Sequence, residues 1–327
     1  MRVMINGFGR IGRTVLRAWL KGGWPGIEIV AVNDIAPAET CAYLLEFDSV
    51  FGPLDGVALE GEVLAVQGHR LPLTHTPDIA ALDLSGIDLV LECTGKAETR
   101  EQAERGLRAG AAKVLISGPS DAADATLVLG ANDVLLTPSM RIVSNASCTT
   151  NALAPLARLL HEAYGISAGW MTTIHCYTGS QPTVDAPRST DPARNRAAAL
   201  SMVPTTTSAG HLLGRVLPEL EGVIDCAAVR VPTASVSAVD LCVLPKRKAD
   251  RDAVNALLQS AGGVIGWTAK PLVSTDLRAR PESIVMALPE TRVSGAGLIR
   301  VFGWYDNEWG FSCRMLDMAL RMGEARA

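Results

Sequence analysis

A glycine-rich turn near the amino end restricts the possible fold more than any other feature of this sequence. Gly7, Gly9 and Gly12 follow the apolar run RVMIN (2–6) in the pattern G-x-G-x-x-G. The residues after the turn, IGRTVLRAWLKGG, have their apolar positions on one helical face, and a second apolar run, IEIVAVND, spans 27–34. This order of strand, turn, helix and strand predicts a βαβ unit.

The alternation of strands and helices continues through the first half of the chain. Two more apolar runs, IDLVLECTG (87–95) and AKVLISG (112–118), flank a helical segment. The first half therefore predicts a Rossmann domain with a doubly wound parallel sheet, in the α/β class. After residue 150, segments rich in threonine and β-formers predict an α+β domain with a mixed sheet, one face of which is exposed or in an interface. The tail FSCRMLDMALRMGEA has helical spacing.

Composition limits the class of protein and its compartment. The formal net charge is −4, which argues against nucleic acid or an anionic membrane as the main partner. The first residues lack the pattern of a signal peptide, and no apolar run approaches the roughly 18 residues of a membrane helix. The seven cysteines are scattered without metal-type spacing, as expected of free thiols. We expect a cytoplasmic enzyme with no membrane partner and no metal.

The glycine turn also predicts a ligand. Glycines allow the backbone to approach a pyrophosphate, whose charge then meets the N–H groups of the helix N-terminus. Asp34 ends the second strand, where a carboxylate accepts bonds from ribose hydroxyls and repels a 2′-phosphate, which favours NAD over NADP. The alternative is a turn that only tightens a strand–helix joint, with Asp34 as a solvated cap.

A single cysteine lies in a polar setting. The segment SNASCTTN (144–151) places Cys148 just before LAPLARLLHEAYG, which predicts a helix with Pro155 near its first turn. A helix N-terminus favours the thiolate, so we expect the pKa of Cys148 to fall below about 8.5 and the thiol to be nucleophilic. A lone intracellular cysteine is more often structural.

A histidine and a set of anion donors complete the candidate site. His175 ends the apolar run GWMTTIHCY, from which it could pair with the thiolate and act as acid and base; the alternative is a hydrogen-bonded strand-end histidine. Hydroxyl and guanidinium groups that suit phosphate follow in the second half: Thr178, Arg194, Arg196, the run 205–208 and Arg230.

Taken together, these blocks resemble the glyceraldehyde-3-phosphate dehydrogenase family from end to end of the chain. INGFGRIGR, EFDSVFG, SNASCTTN, TTIHCYT, PTTT, AVRVPT and WYDNEWG stand in that family's order. The resemblance implies an NAD domain of residues 1–147 with 307–327, a catalytic domain of residues 148–306, and a homotetramer. It also implies oxidation of glyceraldehyde 3-phosphate with NAD and inorganic phosphate through a cysteine thiohemiacetal and thioester.

The resemblance assigns roles to individual residues. Cys148 would be the nucleophile and His175 its activator. The inorganic phosphate would be bound by Ser147, Thr149, Thr207 and Ser208. The substrate phosphate would be bound by Thr178 and Arg230, with Arg194 close to both. The dinucleotide would be contacted by Gly7, Gly9, Arg10, Ile11, Gly12, Asp34 and Ser117, with Asn307 on the nicotinamide carboxamide.

Some positions depart from the family pattern and leave alternatives open. Ala152 replaces a second cysteine, Ser208 replaces a glycine, and the segment DPARNRAAA loses a leucine and an arginine. Ala186 and His75 stand where NAD-type members commonly have leucine and arginine, so these two positions do not add to the preference for NAD over NADP that Asp34 indicates. The alternatives are an erythrose-4-phosphate dehydrogenase, a relative with the same thiol chemistry, and a catalytically silent NAD-binding protein.

Overall fold

The structure is a computed structural model, and it describes residues 1–325. The helices, numbered in chain order, are α1 (Arg10–Leu20), α2 (Ala38–Glu46), α3 (Arg100–Ala103), α4 (Arg105–Arg108), α5 (Cys148–Tyr164), α6 (Ala209–Val216), α7 (Arg251–Ser260) and α8 (Trp309–Glu324). The strands are β1 (Arg2–Asn6), β2 (Glu28–Asn33), β3 (Val57–Glu60), β4 (Val63–Val66), β5 (His69–Thr74), β6 (Leu89–Glu92), β7 (Lys113–Ile116), β8 (Ala125–Thr126), β9 (Ile142–Ser144), β10 (Ile166–Cys176), β11 (Val203–Thr205), β12 (Ile224–Val231), β13 (Ser237–Pro245), β14 (Ile265–Thr268), β15 (Ile284–Ala287), β16 (Arg292–Val293) and β17 (Ile299–Tyr305).

The chain forms two compact units. The first contains Met1–Leu127, Asp133–Ser147 and the chain from Ser312 onward; the second contains Val128–Asn132 and Cys148–Phe311. Residues 307–311, which the sequence assigned with the C-terminal helix, cluster with the second unit. Arg326 and Ala327, the end of the predicted segment 307–327, lie outside the described residues.

The first unit contains the predicted Rossmann sheet. Its strand order is β3-β4-β5-β2-β1-β6-β7-β9-β8, and the pairs from β5 through β8 are parallel. The central strand β6 is buried along its whole length, as expected for a parallel strand covered on both faces. At one edge, β3, β4 and β5 form an antiparallel meander that the sequence did not predict.

The turn between β1 and α1 depends on glycine for steric reasons. Gly7 has a φ of +92°, and a Cβ there would lie 2.6 Å from the backbone nitrogen of Thr94. A Cβ on Gly12 would lie 2.1 Å from the carbonyl oxygen of Gly7, whereas Gly9 faces open space. The first and third glycines therefore allow close backbone packing, and the second leaves room beside the turn.

The second unit contains the predicted mixed sheet. Its order is β11-β12-β10-β13-β17-β15-β14, with β16 paired to β17. Strands β10 and β12 run parallel, while β10, β13 and β17 form an antiparallel ribbon. One face of β10 is buried through Met171, Thr173 and His175, and the other face leaves Trp170 and Ile174 exposed. These two units confirm the predicted fold class.

The helix that carries Cys148 begins earlier than the sequence suggested. Helix α5 starts at Cys148 itself, so Pro155 lies in its interior rather than in its first turn. The prediction for Pro155 was wrong because the polar residues 148–151 were interpreted as a segment before the helix, whereas they form its first turn. Thr149, Thr150 and Asn151 are all buried there, so tertiary packing overrides their weak helix propensity.

No helix among residues 1–325 has the length and apolar character to cross a membrane.

Candidate active site

Cys148 and His175 come together in the second unit. Cys148 is the first residue of α5, and His175 is the penultimate residue of β10. The Sγ atom of Cys148 lies 3.7 Å from Nε2 of His175, which is 6% exposed. The structure thus brings together the two side chains that the sequence proposed as nucleophile and base.

Strand pairing places an arginine beside the same imidazole. Arg230 of β12 is the register partner of His175 across the parallel β10–β12 ladder. Its Nη1 lies 2.7 Å from Nδ1 of His175 and 3.0 Å from the carbonyl oxygen of Cys176. Nδ1 also lies 2.7 Å from the same carbonyl oxygen, so the donor and acceptor roles at this nitrogen depend on the tautomer of the ring.

The prediction of a lowered thiol pKa was wrong. Burial raises the pKa of Cys148 above its usual value, and this effect outweighs the hydrogen bonds of Thr149 and the positive charge of Arg230. The helix N-terminus is present as predicted, but Cys148 is partly buried by packing that the sequence pattern did not reveal.

The pKa of His175 is shifted in the opposite direction. Burial, followed by the charge of Arg230, lowers its pKa to about 4, and the hydrogen bond to the carbonyl of Cys176 opposes this shift only in part. Both shifts oppose the thiolate–imidazolium ion pair that the sequence predicted.

Tyr305 is a site residue that sequence reasoning missed. Its hydroxyl lies 2.9 Å from Oγ1 of Thr149 and 2.8 Å from Oγ1 of Thr173, and its ring meets the His175 ring edge-on at 6.0 Å. The buried Tyr305 thus links the first turn of α5 to β10 and supports the imidazole. The available signal was the spacing by two residues from Ile299 and Val301, which places Tyr305 on the same inner face of the strand.

Asn307 is held by two donors from neighbouring strands. The Cys176 thiol donates to Oδ1 of Asn307 over 3.1 Å, and the Ser237 hydroxyl donates to the same oxygen over 3.3 Å. Ser237 in turn accepts a bond from the backbone nitrogen of Cys176. These contacts orient the Asn307 amide so that its NH₂ group remains to donate, which suits a carbonyl acceptor such as a carboxamide oxygen.

The remaining predicted phosphate residues occupy different environments. The hydroxyl of Thr178 lies 3.0 Å from that of Ser180, just after β10. Thr207 accepts a bond from the backbone nitrogen of Ala209 at the start of α6. Arg194 is exposed on a 3₁₀ turn, and Ser208 is exposed beside α6. Ser147 is partly buried just before α5.

In the first unit, a cleft opens beside the glycine turn. Its walls include Gly7, Gly9 and Asp34, together with Asn33 and Thr94. Asp34 accepts bonds from the backbone nitrogens of Phe8 (2.6 Å) and Ala36 (2.8 Å). Each carboxylate oxygen retains acceptor capacity for a ribose hydroxyl.

Other predicted dinucleotide residues lie on the same unit. The guanidinium of Arg10 pairs with Asp48 and lies over the ring of Phe51, so that side chain braces the turn. Ile11 lies in the first turn of α1. Ser117 follows β7, where its backbone nitrogen donates to the carbonyl of Glu92.

His75, which departs from the family pattern near the predicted adenine, is held by hydrogen bonds on both ring nitrogens. Its Nδ1 lies 2.9 Å from the carbonyl oxygen of Asp34, and its Nε2 lies 2.8 Å from Glu62. These bonds, with that of Glu62 foremost, raise the pKa of His75 against the opposing effect of burial. The first unit fits NAD, because the open side of Gly9 admits a pyrophosphate and Asp34 offers oxygens to the ribose.

A Rossmann unit with such a cleft and a second unit with a cysteine–histidine pair together define a dinucleotide-dependent dehydrogenase with a cysteine nucleophile. Family models described as "Glyceraldehyde 3-phosphate dehydrogenase, NAD binding domain" and "Glyceraldehyde 3-phosphate dehydrogenase, C-terminal domain" match residues 1–100 and 147–307. The chain belongs to the glyceraldehyde-3-phosphate dehydrogenase family, and its cofactor is NAD.

Curated relatives match over nearly the whole chain. Glyceraldehyde-3-phosphate dehydrogenases of Cereibacter sphaeroides and Xanthobacter flavus are each 47% identical to it, covering 99% of this chain and 98% and 99% of their own lengths. That of Geobacillus stearothermophilus is 44% identical over 98% of this chain and 97% of its own length. The predicted family and the predicted oxidoreductase class are confirmed.

Proposed function

We propose that this enzyme converts glyceraldehyde 3-phosphate, inorganic phosphate and NAD to 1,3-bisphosphoglycerate and NADH. The observation that carries the proposal is the thiol of Cys148 facing Nε2 of His175, with Arg230 on the far side of the ring. The names of the full-length relatives support this substrate and disfavour the erythrose-4-phosphate and silent-binder alternatives.

The first half of the reaction forms a carbon–sulfur bond. The Cys148 sulfur attacks the aldehyde carbon, its proton passes to Nε2 of His175, and the N–H groups at the start of α5 stabilise the oxygen that gains charge. His175 then returns this proton to the oxygen, and the adduct is a thiohemiacetal. NAD, when bound, accepts the hydride from this carbon. His175 takes the hydroxyl proton as the carbonyl forms, and the product on Cys148 is a thioester.

The second half transfers the acyl group to phosphate. Inorganic phosphate attacks the thioester carbon, the carbon–sulfur bond breaks, and the Cys148 thiolate leaves with a proton returned by His175. Ser147, Thr149, Thr207 and Ser208 are the residues we propose for inorganic phosphate, and Thr178, Arg194 and Arg230 those for the substrate phosphate. The hydroxyl of Thr149 already contacts Tyr305, so its backbone N–H is the group we propose for an anion.

The direct test is the initial rate of NADH formation with glyceraldehyde 3-phosphate, with and without inorganic phosphate. A rate that rises with phosphate and saturates supports the phosphorylating reaction. Turnover that ignores phosphate, or a higher kcat/KM with erythrose 4-phosphate, would reject it.

Two further properties remain predictions. We propose a homotetramer, which the exposed apolar face of β10 and the family membership support. We also propose a cytoplasmic location, which the cysteines support, because no disulfide joins any of the seven within residues 1–325. For the domains, we propose that residues 1–147 with 307–327 bind NAD and that 148–306 carry out the chemistry. We propose that Asn307, which clusters with the second unit, donates to the nicotinamide carboxamide.

A further inference from the structure

A row of hydrogen-bonded polar side chains crosses the carboxyl edge of the parallel sheet. Glu92 ends β6, Asn6 ends β1 and Asn33 ends β2, and all three are buried. Nδ2 of Asn33 lies 2.8 Å from Oδ1 of Asn6, and Nδ2 of Asn6 lies 2.6 Å from Oε2 of Glu92. Thr74, at the end of β5, donates its hydroxyl to Oδ1 of Asn33. These residues and Thr76, here named the edge network, therefore join four adjacent strands.

Backbone groups fix the direction of the hydrogen bonds along the edge network. The backbone nitrogen of Thr76 donates to Oδ1 of Asn33, and the carbonyl oxygen of Thr76 accepts from Nδ2 of the same amide. A backbone N–H only donates and a carbonyl oxygen only accepts, so the Asn33 amide has one possible orientation. Its Nδ2 then donates to Oδ1 of Asn6, which leaves Nδ2 of Asn6 to donate to Glu92.

Both carboxylate oxygens of Glu92 are needed as acceptors. Oε2 accepts from Asn6, and Oε1 accepts from the backbone nitrogen of Thr94 over 3.0 Å. The hydroxyl of Thr94 contacts the same Oε1. A glutamine of the same shape has one acceptor oxygen and one NH₂ group, so it would leave one of these two buried donors without a partner.

The edge network lines the cleft of the first unit. Asn6, Asn33 and Thr76 are among the residues of its wall, and so is Thr94. The backbone of Thr94 also packs against the glycine turn, because a Cβ on Gly7 would lie 2.6 Å from its nitrogen. The cleft wall at the ends of β1 and β6 is therefore held by the one carboxylate that ends β6.

We propose that Glu92 is a positioning residue for NAD. Its carboxylate holds Asn6 and Thr94 on the two sides of the glycine turn, and it acts on the cofactor only through them. This inference deepens the proposed assignment of the first unit to NAD binding and rests on it. Loss of the carboxylate should weaken cofactor binding and leave the chemistry at Cys148 unchanged.

The first test is the affinity of E92Q for ADP-ribose. This probe carries the parts of NAD that the first unit is proposed to bind, and it lacks nicotinamide. The Kd measured by titration calorimetry should rise roughly tenfold, because one buried donor loses its acceptor. The KM for NAD should rise with it, while kcat at saturating NAD should stay within about twofold of the wild type.

Two control variants separate positioning from stability and from charge. V114A shortens a buried apolar side chain on β7, so it should lower the melting temperature and leave the Kd for ADP-ribose unchanged. E60Q removes the charge of an exposed glutamate paired with Arg70 and should leave both quantities unchanged. A Kd for E92Q that changes no more than that of V114A would show a purely structural residue and would overturn the proposal.

A double variant moves the carboxylate to the other end of the same hydrogen bond. N6D alone places two carboxylates at the 2.6 Å contact and should weaken binding. In N6D/E92Q the new carboxylate accepts from Asn33 and from the new amide, and the amide oxygen accepts from Thr94, so every donor regains an acceptor. The Kd for ADP-ribose should return to within about threefold of the wild type.

The outcomes distinguish this inference from the proposed function. A folded N6D/E92Q variant with a larger Kd than that would overturn the role of Glu92, even where E92Q alone does not fold. Wild-type protein that does not bind ADP-ribose would overturn the assignment of the first unit, and this inference with it. Wild-type binding that E92Q leaves unchanged would overturn only the role of Glu92.

Discussion

At the scale of single residues, the reactivity of Cys148 depends on opposing environments. Its position at the start of α5 favours the thiolate, and its burial favours the thiol. The position of Cys148 at the start of a helix could be predicted from the SNASCTTN segment. The second arises from side chains distant in sequence, such as Tyr305, and therefore could not be predicted from local pattern.

Replacement of the nucleophile gives the simplest residue-scale prediction. C148S should lower kcat by at least a thousandfold, because a serine hydroxyl beside a neutral histidine is a far weaker nucleophile than a thiol. NAD affinity, measured by calorimetry, should stay within about twofold of the wild type. The control is C226S, a half-buried cysteine on β12, which should retain activity. Substantial turnover by C148S would refute the mechanism.

The pKa of His175 predicts a dependence of stability on pH. The unfolded histidine binds a proton below about pH 6.5, whereas the folded one stays neutral down to about pH 4, so the unfolded state binds more protons between these values. Stability should therefore fall as pH falls from 6.5 to 4, by up to about 3 kcal/mol from this residue. H175N should show a smaller loss of urea midpoint between pH 7 and pH 4.5, and equal losses would contradict the assigned shift.

At the scale of elements, the periodic segments were predictable and the irregular ones were not. The strand, turn and helix of residues 2–20 followed from apolar spacing and glycine because local sequence dictates them. The meander of β3 to β5 has short strands with weak alternation, so it gave no comparable signal. The proximity of His175 and Arg230 depends on strand register, which a single sequence does not encode locally.

The glycine turn provides a matched pair of variants at this scale. G12A should destabilise the protein although alanine favours helices, because its Cβ would meet the Gly7 carbonyl at 2.1 Å. We expect a lower melting temperature, by roughly 3 °C or more. G9A has space for its Cβ and should keep its melting temperature while it weakens NAD binding, because the methyl group occupies the side open to the pyrophosphate. The reverse pattern in the two variants would contradict these roles.

At the scale of the whole molecule, the mixed sheet leaves apolar side chains uncovered. Trp170 is 53% exposed and Ile174 is 36% exposed, and both lie on the face of β10 opposite His175. The exposed apolar side chains and His175 lie on opposite faces of the same strand, because neighbouring residues in a strand point to opposite faces. The sequence predicted an exposed or interface face here, because the segments after residue 150 are rich in threonine and in residues that favour strands.

The proposed tetramer can be tested on that face. W170E places a charge where an apolar contact between subunits would form, so sedimentation velocity should show a shift from tetramer to smaller species. The control is Y43E, which replaces an exposed aromatic residue on the first unit. A wild-type monomer, or a W170E variant that sediments as the wild type does, would exclude this face as the interface.

The parallel pairing of His175 with Arg230 has a consequence for enzyme engineering. Substrate range and nucleophile strength are usually treated as separate design targets, altered by changing separate positions. Here the two residues are register partners, so a library that varies Arg230 to accept uncharged aldehydes would also retune the base. Productive variants would therefore need a compensating hydrogen-bond donor or acceptor near Nδ1, selected together with the new specificity rather than after it.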